Sequence, residues 1–215
     1  MTRRLRTPKA RQLLREEKRL SSLGHNSIAG VDEAGRGPLA GPVVAGAVIL
    51  KSFDFTCEIN DSKQLSPKKR DRAYAEILKK AVVGVGIVDE KTIDAINIYQ
   101  ATLRAMQAAI AALDIPPDYV IVDGQMKLRT ACPIKCIIKG DTKSLSIAAA
   151  SIVAKVTRDR LMLKYDKRYP QYGFARHKGY GTRLHKEALA KFGPSPIHRY
   201  SFAPVKQCVD MVYPI

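Results

Sequence analysis

Short apolar runs alternate with segments of helical period along this chain. Residues 28–32, IAGVD, form one run, and PVVAGAVIL at 42–50 forms a second. Both are strand-sized, and a glycine-rich turn separates them. SPKKRDRAYAEILKK follows, with Ser66 as N-cap and Pro67 at the first helical position, so a helix is predicted. AVVGVGIVD reads as a third strand. DEKTIDAINIYQATLRAMQAAIAAL places Ile93, Ile96, Leu103, Met106 and Ile110 on a helical stripe, which predicts one long helix stopped by Pro116 and Pro117.

YVIVDG then reads as a fully apolar strand ending in Asp123, and PIKCIIKGD as another ending at Asp141. The segment TKSLSIAAASIVAKVTRDRLMLKYDKRY is a second long helix, apolar first and basic later. A glycine-rich loop around HKGYGT, a short helix at about 182–192 and a proline-containing tail close the chain. There is no internal repeat. The alternation of strands and helices after an early hairpin-like pair predicts an α/β fold, a mixed sheet with helices on its faces.

Charge narrows the function. The 215 residues carry a formal net charge of +17, spread along the chain rather than gathered in one tail. Such an excess favours a polyanionic partner, nucleic acid first. No run reaches the 18 or so apolar residues of a membrane span. The N-terminal stretch MTRRLRTPKARQLLREEKRL lacks the apolar core of a secretory signal, so residues 1–26 read as a basic extension able to touch phosphates. The tail VDMVYPI is expected to pack or fray. The cysteines are Cys57, Cys132, Cys136 and Cys208; CPIKC has no partner pair and makes a poor zinc signature. Positions 132 and 136 of a strand share a face, so a buried, reduced pair in a cytoplasmic monomer is expected.

The acids supply the candidate chemistry. Asp32 and Glu33 end the first strand, Asp123 the fourth, and Asp141 the fifth. The crevice beyond the carboxyl ends of strands is where open α/β sheets build sites. If the first and fourth strands are parallel neighbours, Asp32 and Asp123 face each other across one strand spacing, about 4.8 Å. Clustered carboxylates repel unless a cation sits among them, and oxygen-only ligands point to Mg²⁺ or Mn²⁺. Two such ions can clamp the attacking and leaving oxygens of a phosphodiester. A single strand-end Asp is equally a turn former or helix cap, as Asp141 could be before TKSLS. Adjacent residues of a regular strand point to opposite faces, so either the strand breaks at Glu33, or Glu33 contributes its carbonyl, or it acts through water.

GRGPLA fits G-x-G-x-x-A, but a dinucleotide fingerprint needs a helix after the glycines, and here a strand follows. The better reading is a tight loop, Gly35, Arg36 and Gly37, that lets a sugar–phosphate backbone come close, with Arg36 on phosphate.

GVDEAGRGPLAGPVVAGAVIL resembles the opening of the ribonuclease HII family. NDSKQLSPKKR, YVIVDGQ, KGDTKSLSIAAASIVAKVTRD and HKGYGTRLH continue the resemblance in family order over roughly residues 27–200. It implies an RNase H-like catalytic domain over 27–215, with a helical C-terminal part from about 160. About 26 residues precede the first block, so no counterpart of the N-terminal substrate-binding domain of ribonuclease HIII is expected. Thr142 stands where relatives commonly have serine. The resemblance implies a metal-dependent endonuclease that cuts the RNA strand of RNA–DNA hybrids and incises DNA 5′ of single ribonucleotides, leaving 3′-hydroxyl and 5′-phosphate ends. Carried over by motif, Asp32, Glu33, Asp123 and Asp141 are the catalytic and metal-binding acids. Gly35, Arg36 and Gly37 read the ribonucleotide's 2′-hydroxyl, and Tyr180 stacks on the following deoxyribose. Lys63, Ser144 and Lys155 are further substrate or support positions. The competing readings are a non-catalytic nucleic-acid binder, which leaves the strand-end acids unexplained, and a DNA nuclease on the same fold, which needs no 2′-hydroxyl.

Overall fold

The structure, a computed structural model, describes residues 12–212, with the side chains of 211 and 212 excepted. Residues 1–11 of the basic extension and 213–215 of the tail lie outside the described residues. In chain order the elements are α1 (Arg15–Ser22), β1 (Ile28–Ala34), β2 (Val43–Leu50), α2 (Pro67–Lys80), β3 (Ala81–Val88), α3 (Glu90–Ala111), β4 (Tyr119–Asp123), β5 (Ile134–Ile137), α4 (Leu145–Arg168), α5 (Phe174–His177), α6 (Arg183–Phe192) and α7 (Ala203–Val212). The strands form one five-stranded sheet in the order β3-β2-β1-β4-β5. β1 runs antiparallel to β2, and β2 to β3, while β4 is parallel to both β1 and β5.

Local chemistry sets the helix starts. Ser66 accepts the Lys69 N–H at 3.4 Å ahead of Pro67, Asp89 accepts the Thr92 N–H at 2.8 Å, and Thr182 accepts the His185 N–H at 3.3 Å. Each satisfies a donor that the helix itself leaves open.

Strand alternation then builds two cores. Ala29 and Val31 of β1 and Val120 and Val122 of β4 face α3, packing with Ile93, Ala105 and Met106. Ile28 and Ile121 face the other way, onto Ile147 of α4 and Leu20 of α1. α4 lies directly on β1: a Cβ added to Gly30 would fall 2.2 Å from the Ser146 carbonyl carbon, so only glycine permits that contact. α1 is an integral part of this layer. Leu13, Leu14 and Leu20 are buried, so residues 13–22 of the expected basic extension belong to the core.

Three local expectations are corrected. The long helix α3 is interrupted at Asn97, whose φ of 65° and ψ of 163° are not helical. The Asn97 side chain accepts the N–H groups of Tyr99 and Gln100 and so caps a second segment. The fifth strand ends at Ile137; Asp141 sits in a 3₁₀ turn, Gly140–Thr142, entered through Lys139 in the left-handed region. The pair Cys132 and Cys136 is not buried together. Cys132 precedes β5, while Cys136 is exposed on this edge strand and contacts the Met126 carbonyl. α4 runs unbroken through residue 160 to Arg168.

Candidate active site

Parallel pairing places the first two acids. Val31 of β1 pairs with Val122 of β4, so Asp32 and Asp123 are the next residues of neighbouring strands. Counting by twos from Ile28 and Ile121, both fall on the α4 side of the sheet. β1 stays regular beyond them: Glu33 pairs with Ala45 and Ala34 with Val44 in β2. The strand therefore does not break at Glu33.

The third strand-end acid arrives by a different route. The Gly140 N–H donates to Asp123 Oδ1 at 2.6 Å, which ties the 3₁₀ turn carrying Asp141 to the end of β4. Asp141 does not cap α4. Ser144 does, its Oγ accepting the Ile147 N–H at 3.1 Å.

The acids feel one another. Burial, then the carboxylates of Glu33, Asp123 and Asp141, raise Asp32 well above the ordinary carboxylate range. Glu33 is raised by burial and by Asp123, against the opposing pull of Arg36. Asp141 is raised by burial, then by Asp123 and by Asp61. Asp61, in the NDSK block, is thus a further acid facing the group. It went unmarked in the sequence because no strand ends there. Lys63 balances them. Burial draws its pKa down, but Asp61, Asp32, Asp141 and Asp123 together leave it raised.

Carboxylates held in this way carry an electrostatic penalty that a hard cation removes. Among the described residues, no three His, Cys, Asp or Glu side chains are already drawn together as a closed metal cage. The donor set nevertheless fits such an ion, being all oxygen, with Asp32, Glu33 and Asp141 each raised by burial and by a neighbouring carboxylate.

The glycine loop adjoins the acids. Arg36 reaches back to Glu33 Oε1 at 3.3 Å, and its side chain is 45% exposed. Gly35 has φ +99°, a conformation that L side chains rarely adopt. Tyr180 stands over this loop: a Cβ on Gly37 would lie 3.8 Å from its Cε1. The ring is 45% exposed.

Two fully buried arginines hold the loop, and neither was marked in the sequence. Arg199 donates to the carbonyls of Gly35 at 2.6 Å, Arg36 at 2.9 Å and Gly41 at 2.7 Å. Arg158 donates to those of Pro42, Ala40 and Lys178. Five planar donors on a guanidinium suit this task. Arg158 lies in the basic second half of α4, among other charged residues, where the local pattern does not single it out.

A histidine chain steadies Tyr180. His185 Nδ1 donates to the Tyr180 carbonyl at 2.9 Å, His185 Nε2 meets His198 Nε2 at 3.0 Å, and His198 Nδ1 accepts from Ser195. These partners require both rings neutral. Burial, and then a neighbouring histidine for His198, lower His185 to about 4 and His198 to about 3.

Ser144 is fully buried. Lys155 pairs with Asp159 of the same helix at 2.7 Å, and Asp159 also takes Arg70 of α2.

No helix among the described residues is long and apolar enough to cross a membrane. The ribonuclease HII family matches residues 29–205. Ribonuclease HII of Bacillus licheniformis is 58% identical over 191 residues, covering 88% of this chain and 74% of that protein. That of Geotalea daltonii is 59% identical, covering 86% of this chain and 87% of its own length. Among solved structures, ribonuclease H2 from Pyrococcus horikoshii superposes with a TM-score of 0.74 at 27% identity, over 86% of this chain and 98% of that one. The ribonuclease HII of a PCNA complex from Archaeoglobus fulgidus gives 0.67 at 26%, over 81% and 94%. With a fold of the RNase H type, acids at adjoining strand ends and relatives of this identity, the chain belongs to the ribonuclease HII family, hydrolytic endonucleases that cut the RNA strand of RNA–DNA hybrids.

Proposed function

We propose that this enzyme also incises duplex DNA on the 5′ side of single embedded ribonucleotides, leaving 3′-hydroxyl and 5′-phosphate ends, with Mg²⁺ or Mn²⁺ held by Asp32, Asp123 and Asp141 and by Glu33 through its carbonyl or a water. The observation that carries this reading is the adjacency of reader and acids. Arg36 of the glycine loop touches Glu33, and Tyr180 stands over Gly37 of the same loop.

Bound divalent ions, two in this reading, supply a lowered pKa for the attacking water and charge compensation for the leaving 3′-oxygen. The protein's own groups do the rest. Asp32 and Asp123 orient the ligand oxygens from adjacent strands. Backbone groups of Gly35 to Gly37 approach the 2′-hydroxyl, the one group that separates RNA from DNA at a given site. The Tyr180 ring rewards a sugar without that hydroxyl at the next position. Arg36, half exposed, is free to leave Glu33 for a phosphate when substrate and cation arrive. The net charge of +17 holds the duplex through its phosphates, so binding weakens with salt.

The test is a labelled duplex of about twenty base pairs, two turns of B-form helix, with one ribonucleotide, beside an all-DNA duplex of the same sequence. A single cut 5′ of the ribonucleotide, lost in EDTA and absent from the all-DNA duplex, supports the reading. Equal cutting of both duplexes favours a DNA nuclease. Salt-sensitive binding without any cut favours a non-catalytic binder.

A further inference from the structure

We propose that Glu17 of α1 is a positioning residue for the active-site acids, acting through Ser144 and Gly140; this rests on reading Asp123 and Asp141 as site acids. Glu17 is 2% exposed, in a helix that the family match beginning at residue 29 does not cover. Its Oε1 accepts three hydrogen bonds, from Ser144 Oγ at 2.6 Å, Ser146 Oγ at 2.8 Å and the Ser146 N–H at 3.0 Å. The chain of bonds continues. The Ser144 N–H donates to the Gly140 carbonyl at 2.8 Å, and the Gly140 N–H donates to Asp123 Oδ1 at 2.6 Å. Asp141 lies inside this bridge, one residue beyond Gly140.

Each link has a physical reason to be rigid. One buried carboxylate oxygen gathers all three bonds, the shortest at 2.6 Å. Glu17 meets the first turn of the 24-residue helix α4, where a carboxylate also opposes the helix dipole. Leu20 locks α1 against Ile28, Ile121 and Ile147, so the carboxylate cannot swing away. Removing it takes from the Ser144 hydroxyl the acceptor that holds it beside its Ile147 N–H bond, and loosens the start of α4, to which the turn carrying Asp141 is bonded.

A purely structural anchor would change stability alone. A positioning residue changes turnover and the demand for divalent cation. The experiment compares Glu17→Ala, Glu17→Gln and Ser144→Ala with the unaltered enzyme on an RNA–DNA hybrid, well below each melting temperature, across a Mg²⁺ titration. Glu17→Ala is expected to lower kcat by about 10- to 100-fold and raise the Mg²⁺ needed for half-maximal rate, as loss of outer-shell support does, with KM unchanged. Glu17→Gln keeps an acceptor oxygen for the serines and should recover most of the rate. Glu17→Ala combined with Ser144→Ala should be no slower than the slower single variant, because both cut one chain.

Wild-type kcat and Mg²⁺ demand in folded Glu17→Ala would overturn the inference. If Glu17→Ala does not fold, wild-type values in Ser144→Ala and Glu17→Gln overturn it equally. Asp123→Asn is run alongside. Full activity in that variant overturns the site reading, and this inference with it; an inactive Asp123→Asn beside a fully active Glu17→Ala overturns the inference alone.

Discussion

Asp32 of β1 and Asp123, the last residue of β4, lie one step beyond the Val31–Val122 pair of these neighbouring parallel strands, and the Asp123 carboxylate helps to raise that of Asp32. Strong β1–β2 and β1–β4 pairing fixes their separation before any ligand is present. The fold thus stores repulsion that a divalent cation relieves.

Relief by neutralisation follows directly. Asp32 is raised in the folded state, so its ionised form destabilises the cation-free protein at pH 7. Asp32→Asn is expected to raise the urea midpoint of that form while abolishing cleavage. Mg²⁺ should raise the melting temperature of the unaltered enzyme and not that of Asp32→Asn, as calorimetry can record.

The histidine chain predicts acid sensitivity of a definite sign. His185 and His198 are lowered in the folded state, so the unfolded chain takes up protons first. Their stabilising effect is whole above an unfolded pKa of about 6.5. It is lost as pH falls, at up to about 1.4 kcal/mol per pH unit for each ring, until about 4 for His185 and about 3 for His198. The raised acids Asp32, Glu33 and Asp141 act in the opposite sense over the acid range. Comparing denaturant unfolding of His198→Gln with the unaltered protein from pH 7 to 4 cancels their share. The variant should lose less stability over that span.

Arg199 holds the glycine loop by its carbonyls, so Arg199→Ala strands buried acceptors at Gly35 and Gly41 and removes the bond to Arg36. At about 1–3 kcal/mol for each unsatisfied buried group, a loss of at least about 2 kcal/mol is expected. Urea denaturation measures it. Arg199→Lys should recover only part, because an ammonium cannot serve a fork of carbonyls.

Tyr180 offers a face rather than its hydroxyl. Tyr180→Phe should cut a single-ribonucleotide duplex at close to the normal rate, whereas Tyr180→Ala should be about tenfold slower, the scale of one lost stacking contact. Gel-resolved initial rates decide between them.

The sequence already showed much of this. The strand-sized apolar runs that lead to Asp32 and Asp123 were legible because both strands are short and regular, although β1 continues two residues past Asp32, to Ala34. Helix starts at Ser66 and Thr182 were legible because capping is local chemistry. What escaped depends on contacts distant in sequence. Glu17 reaches Ser144 across 127 positions, and Arg199 reaches Gly35 across 164. Local pattern also misled where two rules competed. The apolar stripe of α3 continues past Asn97 although that side chain breaks and recaps the helix. The run PIKCIIKGD continues as if a strand, although Lys139 turns left-handed and delivers Asp141 from a 3₁₀ turn.

The most direct measurement is cleavage of an end-labelled RNA–DNA hybrid in Mg²⁺ by the unaltered enzyme and by Asp123→Asn, with circular dichroism to verify that both are folded. Cutting that falls on the order of 10³-fold or more in the variant, with the fold intact, is the predicted result. Normal turnover by a folded Asp123→Asn would contradict the account, because the chemistry would then lie somewhere other than the strand-end acids.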